Sequence, residues 1–317
     1  MSRMKAVVLA AGEGKRMKPI SDLIPKIMIP ILDKPFLEYV LTEIKSVGIS
    51  DIVLVVSPKN RDYIKKYFSD GSEFGLKIDY AIQEERKGTA HAISKARKFL
   101  DTEYFLVHYG DSLTETNMPS ELLKNFKKES GLDAYLTMRE EENTSRYGVV
   151  KFEGHDIVEI VEKPPKGNEP SNMVMIGLFI LKTESFFNSI KDVEFVKGKE
   201  EFPAHYILEK GGKVRGWVFH GKRIDLGKPE DIIHTSRLVM RKYHPQKKNH
   251  LGGGVENKNC MMKNCFVSRG AVIGKDAVIE NSYISEGCEI GENCEVKDSV
   301  IFSDLKDGEV VSNEVRI

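Results

Sequence analysis

Between Leu9 and Pro30 the chain reads LAAGEGKRMKPISDLIPKIMIP. An apolar run ends, two glycines fall within three residues, and basic groups follow at Lys15, Arg16, Lys18 and Lys26. A loop of small residues lets a ligand approach the backbone, and consecutive N–H groups on such a loop bind anions. Arginine or lysine just beyond adds charge for a phosphate. The same residues also suit a plain glycine turn with solvated lysines, because short glycine loops are common. Two more stretches carry comparable chemistry: QEERKGTAHA, starting at Gln83, and GDS, starting at Gly110.

The elements around these stretches decide whether they meet. MKAVVLAA (4–11), DIVLVVS (51–57), LKIDYAI (76–82) and YFLVHYGD (104–111) are apolar runs bounded by turn residues, as in strands buried on both faces. Between them lie helical patterns. In KPFLEYVLTEIKSVGI, Phe36, Val40, Leu41, Ile44 and Val47 share one face, and Pro35 suits a first helical turn. NRDYIKKYF (60–68) and GTAHAISKARKFL (88–100) complete the alternation. Strands alternating with helices imply an α/β fold with a parallel sheet, whose ligands bind beyond the carboxyl ends of the strands. All three candidate stretches lie at such ends. From about Gly131 to Trp217 the strands read as more antiparallel, so the sheet is expected to be mixed though mainly parallel. KPEDIIHTSRLVMRKYH reads as a closing helix, and the basic segment HPQKKNHLGGG as a linker.

Past the linker the period changes. Val267, Ile273 and Ile279 recur every six residues, and Ile284, Ile290 and Val296 resume the pattern after a one-residue slip. Four positions after each stands a smaller residue: Ala271, Ala277, Tyr283, Cys288, Cys294 and Val300. A period of six is the signature of a left-handed parallel β-helix of hexapeptide repeats, here of roughly three coils of about eighteen residues. The expected organisation is residues 1–243, a linker over 244–254, and a β-helix over 255–317. Cys265, Cys288 and Cys294 fall on inward positions, where a thiol is a compact apolar filler. Neither a close Cys-x-x-Cys pair nor a histidine cluster points to a metal.

Lys+Arg 48 balances Asp+Glu 48, so no global field favours nucleic acid or an acidic membrane. The first apolar run is too short for a signal peptide, and nothing approaches the roughly 20 apolar residues of a membrane helix. A reducing cytoplasm is the expected address.

Taken in order, the glycine-rich opening, QEERKGTAHA, GD, VEKP and RIDLGKPED resemble the sugar-1-phosphate nucleotidylyltransferases, and the tail looks like the β-helix many members append. The resemblance covers nearly the whole chain. It implies a Rossmann-like nucleotidyltransferase domain, a divalent metal, normally Mg2+, and a reaction that joins a nucleoside triphosphate to a sugar 1-phosphate with release of pyrophosphate. Carried onto this sequence, it implies that Leu9, Ala11, Gly12, Gly14, Gln83, Gly88 and Thr89 bind the nucleotide. Arg16 and Lys26 hold the triphosphate as the catalytic cations. Asp111 and Asp225 bind the metal, and Gly148, Glu162, Lys163 and Gly177 line the sugar phosphate. Gln83 suits a pyrimidine edge, since an amide offers a donor and an acceptor together. His91 reads as an ordinary helix residue. Three departures from the family pattern stand out. Ala11 replaces a common glycine, Met175 and Ile176 occupy a stretch where asparagine is frequent (Asn172 lies upstream), and EEFPAHYIL lacks a frequent Thr-Asp.

The chemistry agrees with the implied reaction. A phosphate oxygen is already ionised near neutrality, so no general base is needed. The task is to bring two polyanions together and stabilise charge at the α-phosphate and the leaving pyrophosphate. The leading expectation is uridylyl or thymidylyl transfer to glucose 1-phosphate or a close relative. Guanylyl transfer to mannose 1-phosphate is the nearest alternative. An acetyltransferase or bifunctional enzyme, and a non-catalytic regulatory subunit, are further ones. Acetyl transfer on a β-helix generally needs a histidine between coils, yet the last histidine is His250. All the chemistry is thus expected before the linker, with the coil stacking on itself or on other subunits of a homo-oligomer.

Overall fold

The structure, a computed structural model, describes residues 3–198 and 201–317. The chain divides into two compact units. The first comprises Met1–Gly12, Leu41–Gly110 and Asn117–Gly221, and the second Glu13–Val40, Asp111–Thr116 and Lys222–Ile317.

The first unit is built on nine strands: β1 Lys5–Ala10, β2 Asp51–Val56, β3 Lys77–Ile82, β4 Tyr104–Tyr109, β5 Ala134–Glu140, β6 Gly148–Glu153, β7 Asp156–Glu162, β8 Met173–Lys182 and β9 Val214–Val218. They form one sheet in the order β3-β2-β1-β4-β8-β5-β9-β7-β6. The first four are parallel, and β8 joins β4 antiparallel, so the switch expected near Gly131 is where the sheet becomes mixed. Continuous apolar runs make the central strands: Val7, Val8, Leu54 and Val107 are wholly buried. Helix Pro58–Phe68 opens with a capping box between Ser57 and Asn60. The Asn60 amide also donates to the Ala10 carbonyl at 2.6 Å, which fixes where β1 stops and the glycine loop begins.

The second unit contains the β-helix. Its three faces are parallel ladders of five, three and four strands. Val267, Ile284 and Ile301 are register partners 17 residues apart, one fewer than expected. The positive-φ residues explain the period. Gly270 and Gly287 turn one corner, Asn259, Asp276 and Asn293 a second, and Asn264, Asn281 and Asp298 a third. Glycine, asparagine and aspartate are the residues that tolerate the left-handed region. Asn259 donates to Asp276 at 2.9 Å and Asn264 to Asn281 at 3.2 Å, so the corners are laddered as well. The coil also runs further than the apolar repeat: its first strand, His250–Leu251, already pairs with Phe266–Val267, and Val315–Arg316 extends the same face.

One inward assignment is corrected. Cys265, Ala271, Ala277, Cys288 and Cys294 lie in the coil's apolar core, but Tyr283 and Val300 do not. The side after Ile279 is one residue shorter, so Ser282 and Ser299 take the inward positions and are fully buried there. The Ser282 hydroxyl accepts the Ser299 N–H at 3.1 Å. Phe266, Tyr283 and Val300 then form an outward row that is nevertheless buried.

Around the coil's partner segments, Ser112–Thr114 pairs antiparallel with Arg223–Asp225. Helix Asp231–Tyr243 ties this pair down: Thr235 donates to the Asp225 carbonyl at 3.0 Å, and the Lys242 ammonium donates to the Thr114 and Thr116 carbonyls at 2.7 Å each. Pro35 is not in a first helical turn. It pairs with Pro30 in a hairpin, and the helix begins at Phe36. No helix among the described residues is long and apolar enough to cross a membrane.

All four cysteines are free, and burial pushes the Cys265 thiol up to about 12 and that of Cys288 up to about 11. A disulfide-exchange reagent at pH 8 should therefore titrate at most the half-buried Cys260 promptly in native protein, and all four thiols after unfolding. Rapid native labelling of Cys265 or Cys288, mapped by peptide mass, would contradict the packed coil.

Candidate active site

In the second unit the loop and the carboxylates come together. Gly14, at φ 64, opens the helical turn Lys15–Met17. A Cβ there would lie 2.8 Å from the Lys26 Cβ, so both the backbone angle and the close approach call for glycine. Lys26 begins a second turn, Lys26–Met28, behind Pro25. Its side chain is only 12% exposed, and its ammonium lies 2.7 Å from Asp111 Oδ2. Arg16 is exposed and makes no hydrogen bond or ion pair with a described residue. Lys15 and Lys18 pair with Glu13 at 3.6 Å and Asp22 at 3.1 Å on the surface, as solvated lysines do.

Asp225 is the register partner of Ser112, and Asp111 lies in the turn just before Ser112, so the two aspartates stand at the same end of one strand pair. Asp225 Oδ1 accepts from Arg223 at 2.7 Å. Burial works against charge on Asp111, but Lys26, as neighbour and as hydrogen-bond donor, outweighs it and with Arg223 holds the carboxyl below the usual carboxylate range. Among the described residues no group of three or more His, Cys, Asp or Glu side chains gathers to hold a metal. Two carboxylates are still a fitting donor set for a hard divalent ion that keeps its remaining positions for phosphate oxygens and water.

The first unit carries the other candidates. Leu9 lies next to the end of β1, and Ala11, just past that end, is buried. Gly12 is different: its φ is not left-handed, and a Cβ would meet nothing within 4 Å. Packing among the described residues does not require a glycine there. Gln83 follows β3, with its N–H donated to the Val56 carbonyl at 2.8 Å. Its side chain is buried, with the amide nitrogen 3.3 Å from the Gly88 carbonyl and 3.1 Å from His91 Nδ1. Burial, then Lys95 and Lys87, lowers the His91 pKa. A neutral ring can accept that amide proton. Gly88, at φ 91, precedes helix Thr89–Ser94, and the Thr89 hydroxyl is 3.2 Å from that of Tyr109.

Gly148 and Glu162 are cross-strand partners on β6 and β7. A Cβ on Gly148 would strike the Met175 methyl and come to 3.0 Å of the Glu162 carboxylate. Lys163, at φ 48, is 56% exposed and places its ammonium 3.2 Å from Glu162. Gly177 lies where β8 shifts register against β5, and a Cβ there would come within 2.5 Å of the Tyr109 ring. Sequence reasoning missed three neighbours of these residues: His91 beside Gln83, Tyr109 beneath Gly177, and Arg223 on Asp225. Each lay within or beside a motif already singled out, but only the contact reveals its part.

Comparisons with known proteins show the family. The profile of the nucleotidyl transferase family matches residues 5–242. A low-salt glycan biosynthesis nucleotidyltransferase, Agl11, from Haloferax volcanii is 31% identical over 242 residues, 75% of this chain and 66% of that protein, just under two thirds of its length. A UTP–glucose-1-phosphate uridylyltransferase from Staphylococcus saprophyticus is 30% identical over 261 residues, 73% of this chain and 90% of the relative. A solved structure of a UDP-glucose pyrophosphorylase complexed with UDP-glucose aligns with TM-score 0.65 and 27% identity, over 76% of this chain and 99% of that one. The chain belongs to the nucleotidyl transferase family, and within it to the sugar-1-phosphate nucleotidylyltransferases that its motifs resemble.

Proposed function

We propose that this chain transfers a uridylyl or thymidylyl group from UTP or dTTP to glucose 1-phosphate and releases pyrophosphate. The observation that carries the reading is the Lys26–Asp111 contact behind a glycine loop, in a chain whose relatives are named for that reaction. An oxygen of the sugar phosphate attacks the α-phosphorus of the nucleotide, a new P–O bond forms, and the bond to the β-phosphate breaks, with the electron pair leaving on pyrophosphate. Backbone N–H groups from Ala11 to Gly14 cradle the triphosphate, and Arg16, without a partner among the described residues, binds it bidentately. Lys26 neutralises charge at the α-phosphate. Gln83 reads the pyrimidine edge, held in orientation by Gly88 and His91. Glu162 accepts hydrogen bonds from sugar hydroxyls, and Lys163 pairs with the sugar phosphate. Asp111 and Asp225 would hold Mg2+, which supplies positive charge to the phosphate oxygens.

The same reading places the enzyme in the cytoplasm, where four free cysteines stay reduced. It takes 1–243 as the nucleotidyltransferase domain and the coil, whose first strand His250–Leu251 lies inside the expected linker 244–254, as the part that follows, in a homo-oligomer. No nucleic acid or membrane takes part.

Pyrophosphate release should require UTP or dTTP, a sugar 1-phosphate and a divalent ion together, and chelation should stop it while leaving the melting temperature nearly unchanged. Turnover confined to GTP with mannose 1-phosphate, in a screen of five nucleoside triphosphates against a panel of sugar 1-phosphates, would overturn the assignment. Asp111→Asn and Asp225→Asn should each lower kcat about 100-fold or more, the scale of a lost metal-held charge. Near-normal rates in either variant would show that these aspartates do not hold the ion.

A further inference from the structure

The segment after Lys26 is fastened to the β-helix at two points. Beyond the turn Lys26–Met28 the chain forms a hairpin, with Pro30 opposite Pro35 and Ile31 opposite Lys34. Its two loop residues, Leu32 and Asp33, have φ of 51 and 68. Aspartate tolerates that region but a leucine rarely adopts it, so the turn calls for support from outside. The coil does this. Asp33 Oδ1 accepts the Arg269 N–H at 2.9 Å, and Oδ2 lies 3.2 Å from His250 Nε2. Gly252 makes room for the carboxylate, because a Cβ at that position would strike both of its oxygens.

The second fastening is Tyr283. It is wholly buried on the coil's outward row, and its hydroxyl donates to the Pro30 carbonyl at 3.0 Å while accepting from Ser268 at 3.2 Å. Outward residues of another face are exposed, among them Met261, Glu295 and Val310. The row Phe266, Tyr283 and Val300 is instead covered. A coil that only stacked on itself would need neither this buried row nor a phenol spent on a carbonyl four residues from Lys26.

We propose that Asp33 and Tyr283 are positioning residues for nucleotidyl transfer: through them the β-helix fixes the Lys26-bearing turn, so the coil takes part in catalysis without touching substrate. The proposal rests on the reading of Lys26 as the phosphate-binding lysine. It differs from the expectation that the coil serves only for stacking.

The test uses the full chain with Tyr283→Phe, Asp33→Asn and Lys26→Ala, singly and combined, with kcat and KM measured separately by pyrophosphate release and melting followed in parallel. Tyr283→Phe removes one oxygen and keeps the ring, so it decides alone should Asp33→Asn not fold. Both variants should lower kcat at least tenfold below their melting points, with the KM for sugar 1-phosphate changed less than twofold. Added to Lys26→Ala they should cost less than a further twofold, because they act through that lysine. Rates within twofold of the unaltered enzyme, or losses that multiply in full on the Lys26→Ala background, would overturn the positioning role. An unimpaired Lys26→Ala enzyme would instead overturn the reading of Lys26, and the proposal with it.

Discussion

The 2.7 Å contact between Lys26 and Asp111 joins two parts of the chain 85 residues apart, and the rest of the second unit is arranged so that it can form. With Lys26 12% and Asp111 41% exposed, solvent screening keeps its worth near the surface scale, about 1 kcal/mol or less. It does not hold the fold together. What it requires is precision: Gly14 must lack a Cβ, Pro25 must aim the turn, and the strand pair Ser112–Thr114 with Arg223–Asp225 must be pinned by Thr235 and Lys242. Because Asp111 titrates below the usual range, the pair persists at neutral pH and is lost only as pH falls through that lowered value.

Much of this was legible in the sequence because it is local. Apolar runs gave the parallel strands their places, a glycine and an aspartate marked strand ends, and a period near six gave the coil. What escaped depends on partners far along the chain. Tyr283 meets Pro30 across 253 residues, and Asp33 meets the Arg269 N–H across 236. No window of sequence contains both ends of such a contact. The one-residue slip in the repeat was visible, but its effect was not: it turns Tyr283 outward and brings Ser282 in. Tyr109 was read only as part of a strand, since nothing local says that a glycine on another strand will rest on its ring.

Glycines in this chain differ in what requires them: some are fixed by a neighbour, some by a left-handed backbone, and Gly12 and Gly253 by neither. Gly14, Gly148, Gly177 and Gly252 are each demanded by a neighbour that a Cβ would strike, so their absence of side chain is already explained by packing. No described residue demands Gly12. A glycine on a loop of small residues leaves the backbone open to approach by an anion, which is the part the proposed function gives it.

Charge follows the same division. Lys26 and Arg223 are each held on a carboxylate, while Arg16 has no partner among the described residues. The two aspartates are thus balanced by protein cations. A divalent ion on Asp111 and Asp225 would take over that balance, leaving Lys26 free to turn its charge to a phosphate. A lysine that must serve two anions in turn needs a fixed backbone more than one that serves a single partner, because its flexible side chain can supply the change only if its root does not move. On the reading proposed for Lys26, that is the use of fastening the hairpin after it to the coil.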